Sequence, residues 1–325
     1  MSKFLVIQTA FIGDAILATA LIEKLHQYYS AERIDLLVRK GNESLFKGHP
    51  CLENVYVWNK QKHKYLNLLS IARAVRRHRY DYVVNLQRFF STGLLTGFSG
   101  ARVRMGFSEN PLSFLYHFKK SYSIDCGLHE VERNNGLIAH LTDADANRPA
   151  LYPSPSDFDK VAAFKARPYI CLAPASVWYT KKLPGDKWSE LARHLAPHYT
   201  LYFIGAPEDR ALCDNIMAGL SKNAAHNLCG NLSLLQSAAL MQDARMNYVN
   251  DSAPLHLASA VNAPTTAFFC STLSDFGFGP LSDSSAVAQI ESKLYCRPCG
   301  IHGRKKCPEG HFRCGREIDV LKYLP

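Results

Sequence analysis

Phe4-Leu5-Val6-Ile7-Gln8-Thr9-Ala10-Phe11-Ile12-Gly13-Asp14-Ala15-Ile16 opens the chain with a strand that runs directly into a helix. Four apolar residues in a row suit a buried strand. Beyond them Leu17, Leu21 and Leu25 share one face, with Ala18, Ile22 and Tyr29 beside them, which is helical spacing. Gly13 lets the backbone turn tightly, and Asp14 stands at the start of the helix. A carboxylate there complements the helix N-terminus. It also stands at the carboxyl end of the first strand, where it can accept a proton from a substrate hydroxyl.

The same unit recurs along the chain. Strands are expected at Phe4–Ile7, Ile34–Val38, Val55–Trp58, Tyr82–Asn85 and Val103–Phe107, then at Tyr169–Ala173, Leu201–Ile204, Asn247–Val249 and Thr265–Phe269. Between them lie amphipathic stretches, such as Leu68, Ala72 and Val75 opposite Arg73, Arg76 and Arg77. Strand–helix alternation implies α/β units with parallel sheets and right-handed crossovers. Tyr152-Pro153-Ser154-Pro155-Ser156-Asp157 is the best linker signal. Two Rossmann-like doubly wound domains, 1–153 and 154–325, are therefore expected, with ligands in a central cleft where the carboxyl ends of both sheets face each other. The last helix is expected to pack back on the first domain.

Composition agrees with two domains. The chain has 325 residues, 47% hydrophobic and 20% charged, which excludes disorder and a small disulfide scaffold. Lys and Arg number 38 against 28 Asp and Glu, a formal +10 that favours an anionic partner. Gln8, Thr9 and Asp14 interrupt the first apolar run before a secretory segment is complete, and no stretch reaches the roughly 20 apolar residues of a membrane span. Six of the ten cysteines, Cys51, Cys126, Cys171, Cys213, Cys229 and Cys270, are scattered singly and read as buried free thiols of a reduced, cytoplasmic compartment.

Three fingerprints are missing: the glycine-rich dinucleotide turn, the P-loop and the G-x-S-x-G elbow. Nicotinamide-dependent oxidation and P-loop phosphoryl transfer are thereby set aside. The second half offers other groups. Strand Tyr169–Ala173 leads into Pro174-Ala175-Ser176-Val177-Trp178-Tyr179-Thr180-Lys181-Lys182-Leu183-Pro184, a polar loop whose lysines suit a diphosphate or simply face solvent. Strand Asn247–Val249 leads into Asn250-Asp251-Ser252-Ala253-Pro254-Leu255-His256-Leu257-Ala258. There Asp251 and Ser252 open a helix whose free amides favour an anion. Both residues also suit a plain helix cap, with His256 one turn inside.

Taken together, the run Gln8–Leu25, the loop around Lys181 and the segment Asp251–Ala258 resemble the family 9 glycosyltransferases, the heptosyltransferases of lipopolysaccharide core assembly. The resemblance covers nearly the full chain. It implies a GT-B fold and metal-independent, inverting transfer of heptose from ADP-heptose to a Kdo-containing or heptosylated lipid acceptor, at the inner face of the cytoplasmic membrane. No cofactor is required. Carried over, the catalytic aspartate falls on Asp14 after Gly13. The phosphate-binding lysine falls on Lys181, with Ser176 beside it, although Leu183-Pro184 stands where Trp-Pro is usual. The donor-gripping segment falls on Asp251, Ser252, Ala253 and His256, with Ala253 replacing the usual glycine. The rivals are a nucleotide-sugar epimerase of the same architecture and, in another class, a zinc-bearing nucleic-acid-binding protein.

Two basic runs account for much of the positive charge. Residues 60–79 contain Lys60, Lys62, Lys64, Arg73, Arg76, Arg77 and Arg79 and no acid. Such a run is commonly a solvated face. In the acceptor half it also suits an anionic glycolipid, with Lys62, Lys64 and Arg88 the candidates and Arg102 and Arg104 behind them. The other run lies in a tail that holds Cys296, Cys299, Cys307 and Cys314 within nineteen residues, with His302 and His311 interspersed. A structural zinc site, reduced thiols and disulfides all remain open for that tail.

Overall fold

The computed structural model describes residues 2–29, 33–62, 64–124, 126–221 and 223–325. The chain separates into two units, Met1–Tyr152 and Pro153–Pro325, each with its own sheet and core.

In the first unit the strands are β1 (Lys3–Gln8), β2 (Arg33–Arg39), β3 (Asn54–Trp58), β4 (Tyr82–Asn85), β5 (Val103–Phe107) and β6 (Phe118–Lys120). All neighbours pair parallel in the order β3-β2-β1-β4-β5-β6. The first expected helix is two consecutive ones, α1 (Ile12–Leu17) and α2 (Thr19–Tyr28). They join at Ala18, where the Thr19 hydroxyl bonds back to the Ile16 carbonyl at 2.6 Å. Then come α3 (Lys64–His78), α4 (Phe90–Gly97) and α5 (Glu130–Asn135). Leu68, Ile71 and Val75 of α3 pack with Leu5, Ile7, Leu37, Trp58 and Val83, while Arg73, Arg76 and Arg77 are exposed, as the sequence pattern requires.

The second unit has β7 (Tyr169–Ala173), β8 (Thr200–Phe203), β9 (Ala225–Asn227), β10 (Met246–Asn250), β11 (Thr265–Phe269) and β12 (Ser285–Gln289). Its order is β12-β11-β10-β7-β8-β9, again all parallel. Counted from the first strand of each unit, this is the same 3-2-1-4-5-6 order. The helices are α6 (Pro155–Val161), α7 (Gly185–Leu195), α8 (Arg210–Met217), α9 (Leu234–Gln242), α10 (Ala253–Ala260) and α11 (Arg313–Arg316). Phe312, Cys314, Ile318 and Val320 are buried in this unit's core, so the terminal turns seal the sheet that precedes them in sequence.

Three strands escape the sequence pattern. β6, β9 and β12 are all edge strands, and their residues, Phe118-Lys119-Lys120, Ala225-His226-Asn227 and Ser285-Ala286-Val287-Ala288-Gln289, lack the apolar run of a central strand. The cysteines need one correction. Cys51, Cys171, Cys213, Cys229 and Cys270 are buried free thiols, but Cys126 is exposed, in a polar loop where its thiol meets the Ser123 carbonyl.

Candidate active site

In a sheet of this order the first and fourth strands lie side by side while their connections leave in opposite directions. The carboxyl ends of that pair form a crevice suited to ligands. Both units furnish this place with charged side chains.

In the first unit β1 ends at Gln8, and Phe11 precedes α1 in extended conformation. Asp14 is the third residue of that helix. Its carboxylate is hydrogen-bonded by the amides of Phe11 and of Asp14 itself. Burial, and then the negative field of Glu130, push its pKa from 3.8 up to about 6; the two amides and the Arg88 guanidinium oppose the rise. Glu130 is buried at the start of α5, where it accepts Tyr122 Oη at 2.8 Å and Arg133 Nε at 2.9 Å. Arg88, just past β4, lies 3.6 Å from the centre of the Tyr122 ring. α5 is started by His129, whose Nδ1 accepts the Val131 amide, while Glu132 accepts the His129 amide. Lys60 reaches the β1–α1 connection, with Nζ 2.6 Å from the Thr9 carbonyl.

In the second unit the loop after β7 contains a single 3-10 turn, Tyr179–Lys181. The loop after β10 leads into α10. Lys181 Nζ lies 2.6 Å from Asp251 Oδ2, and Thr272 Oγ1, past the end of β11, donates to the same oxygen at 2.6 Å. Asn250 ties the two loops together: its Oδ1 accepts the Leu183 amide at 3.0 Å and its Nδ2 donates to the Pro174 carbonyl at 2.7 Å. Ser252 takes the position preceding α10, but its hydroxyl points to the Ala175 and Asn250 carbonyls rather than to the helix amides. Pro254 suits a first turn, where no amide is needed. The helix therefore begins without a side-chain cap, and its amides and dipole are directed at whatever occupies the loop.

A family model for glycosyltransferase family 9 (heptosyltransferase) matches residues 68–311, three quarters of the chain. The chain belongs to glycosyltransferase family 9. It is 26% identical to lipopolysaccharide heptosyltransferase 1 of Pseudomonas aeruginosa, over 91% of this chain and 86% of that protein. Its fold is similar to that of the ADP-heptose lipopolysaccharide heptosyltransferase II of Escherichia coli, with a TM-score of 0.78 and 22% identity over 91% of this chain and 95% of the other. An E. coli heptosyltransferase solved with ADP gives 0.72 at 19% identity, over 88% and 92%. The fold is thus GT-B, and the protein is a glycosyltransferase.

In this family 9 enzyme two pairs of the residues expected from sequence come together. Asp14 lies within the field of Arg88 in the first unit, and Lys181 is ion-paired with Asp251 in the second. Asp251 is no helix cap; it is the lysine's partner. Ser176 is half-buried in the β7 loop, Ala253 is the first residue of α10, and His256 is buried one turn inside. Gly13 needs correction: it is an ordinary residue of α1, outside the left-handed backbone region, so no tight turn depends on it. Lys62 is exposed, and the side chain of Lys64 lies outside what the structure describes. Lys60 belongs to the basic run read from sequence, whereas Glu130, Tyr122 and Thr272 were missed. Their sequence signals are a helix start with two acids, His129-Glu130-Val131-Glu132, and polar Ser271-Thr272 directly after an apolar strand.

The tail cysteines are neighbours: Cys299 feels Cys296 and Cys307, and Cys314 feels Cys299, Cys307 and Cys296. Cys296 Sγ lies 3.9 Å from His311 Nε2, Cys314 is in the core, and Cys296 and Cys307 pack against it. Burial, with the neighbouring Cys299 and Cys307, pushes the Cys314 thiol up to about 12. Among the described residues, the grouping that brings three metal-type ligand atoms within 4.8 Å is Glu23, His49 and Cys51, in the first unit. It closes on itself: the Cys51 thiol meets Glu23 at 3.5 Å, burial pushes that thiol up to about 12 and His49 down to about 4. Burial thus disfavours the charged form of both groups, and the His49 ring lies 4.9 Å from that of Tyr152.

Proposed function

We propose that this enzyme moves heptose from ADP-heptose to a Kdo- or heptose-bearing acceptor of the lipopolysaccharide inner core, with inversion. The observation that carries the reading is Asp14, a carboxylate at the carboxyl end of β1 with its pKa lifted to about 6. A base with that pKa is ionised at pH 7 yet basic enough to hold a proton.

The chemistry divides between the units. Asp14 takes the proton of the acceptor hydroxyl as its oxygen bonds to the anomeric carbon, on the face opposite the diphosphate. The bond from that carbon to ADP breaks, and its electron pair leaves on the β-phosphate. The Lys181 ammonium and the α10 amides stabilise that charge, with Asp251 holding the lysine in place. The sugar centre passes through an oxocarbenium-like state, as in glycoside hydrolysis. Arg88, beside Asp14, and Lys60, at Thr9, are the cations placed to meet acceptor phosphate or carboxylate.

Membrane contact fits the outward face of α3. Tyr65, Leu66 and Leu69 are 70%, 67% and 52% exposed, and the same face continues into Arg73, Arg76 and Arg77. Apolar residues followed by cations suit peripheral contact with an anionic bilayer, here the inner face of the cytoplasmic membrane. Among the described residues no helix is long and apolar enough to cross a membrane. Nucleic acid has no part in this reading, and the tail is assigned a structural role.

The decisive experiment incubates the purified protein with inner-core acceptor and ADP-, UDP- or GDP-linked sugars and analyses the product's mass and anomeric configuration. ADP-heptose is expected to be the donor, with inverted product. Preference for UDP or GDP would keep the fold and overturn the substrate.

A further inference from the structure

We infer that the C-terminal tail is a positioning element of the donor site, acting on Lys181 through Thr180. The inference rests on Lys181 being a donor ligand. The turn Tyr179–Lys181 is three residues long and has no helix of its own to hold it. Thr180 is 1% exposed, and its bonds lead to distant parts of the chain. Its amide donates to the Arg304 carbonyl at 3.1 Å, and its carbonyl accepts the Ser271 amide at 3.2 Å. Its Oγ1 receives the Arg304 amide at 2.7 Å and the Ser271 hydroxyl at 2.9 Å. One buried residue thus joins the lysine turn to the segment after β11 and to the tail.

The tail is itself fixed. Arg297 sits in a cage of oxygens: Nε donates to the Cys270 carbonyl at 2.7 Å, and Nη2 meets the carbonyls of Phe269 and Thr272 and Gln289 Oε1. The Cys299 amide donates to the Ser271 carbonyl at 2.9 Å. Gly303 has φ +76, and a Cβ there would stand 2.9 Å from Lys181 Cγ and 3.1 Å from Thr180 Oγ1. Further on, the Phe312 ring lies 5.4 Å from that of Tyr179, and Gly315 sits against Pro184. The tail therefore touches Tyr179, Thr180, Lys181 and Pro184. It also shares Thr272 with Asp251, the lysine's partner, because the Thr272 carbonyl holds Arg297 while its hydroxyl holds Asp251. Loosening the tail releases the ammonium from the place where the diphosphate needs it, and an ångström-scale misplacement of a positioned charge is costly.

The test uses the full-length protein with ADP as the probe in titration calorimetry, alongside steady-state kinetics. Thr180→Val keeps volume and removes the hydroxyl. It is expected to weaken ADP binding about tenfold and to raise donor KM in step. At saturating donor, kcat falls as well, because Lys181 also stabilises the departing diphosphate, while acceptor KM stays within about twofold. Thr180→Ser restores ADP affinity. Ser271→Ala, which removes one bond to Thr180 Oγ1, gives a smaller loss of about threefold and decides the matter should Thr180→Val not fold. Parent-like ADP affinity in Thr180→Val and Ser271→Ala, whatever their melting temperatures, overturns the inference so long as Lys181→Gln binds ADP weakly. Unchanged ADP affinity in Lys181→Gln removes Lys181 from the donor site and takes this inference with it.

Discussion

The two units have the same strand order and the same crevice position, yet they fill it with opposite chemistry. The first places Asp14 and Glu130 near each other with Arg88 in attendance, and the outcome is a carboxylate whose pKa is high. The second places Lys181 against Asp251 within 2.6 Å, and ahead of α10 it leaves a helix start without a side-chain cap. One arrangement is suited to taking up a proton and the other to holding a diphosphate. The sheet order decides where a site forms; the loops after the first and fourth strands decide what it does.

The comparison breaks most directly at Asp14. Asp14→Asn is expected to cut kcat by about 10²–10⁴-fold while ADP affinity, a property of the other unit, stays at the parent value. Calorimetry and turnover on the same preparation read both. Normal turnover would remove the base from this unit. Lys181→Gln gives the converse: donor affinity falls about 10- to 100-fold, and acceptor KM is unmoved.

The pH dependence sharpens the contrast. With Asp14 titrating near 6, kcat/KM for the acceptor is expected to rise with pH through that value. Glu130→Gln removes the negative field and moves the limb to lower pH, whereas Arg88→Gln removes the opposing cation and moves it higher. A limb that ignores both variants would assign it to another group. Stability carries the same signature in reverse. A carboxylate whose pKa is raised on folding contributes most stability below 3.8 and loses it as pH climbs through about 6. Asp14→Asn should therefore melt above the parent at pH 7.5, with the gap closing at pH 4. Smallest of all, Thr272→Val removes one bond to Asp251 and should raise donor KM a few-fold, about 1 kcal/mol.

How much of this was legible in the sequence depends on distance along the chain. The central strands and the faces of α2 and α3 follow from apolar spacing alone, and Asp14, Lys181 and Asp251 each stand in the segment that follows a strand. The edge strands β6, β9 and β12 carry too little apolar pattern to register. Glu130 escapes notice because it meets Asp14 only once the chain has closed over more than a hundred residues, and periodicity is blind to that. The tail is legible in another way. Its four cysteines draw the eye, while the ties to the rest of its unit run through Arg297, Gly303 and Phe312, residues that attract no attention in a list of motifs.

The amide of Phe11 that holds the Asp14 carboxylate has a consequence of its own. The charged aspartate is the counter-ion of the first turn of α1, yet burial and Glu130 outweigh its two amides, so the turn is firmest once the carboxylate has taken the acceptor's proton. Helix fraying and catalysis then run on one clock. Amide hydrogen exchange at Ala15 and Ile16 should slow, relative to the rest of the unit, as the solution is acidified through pH 6.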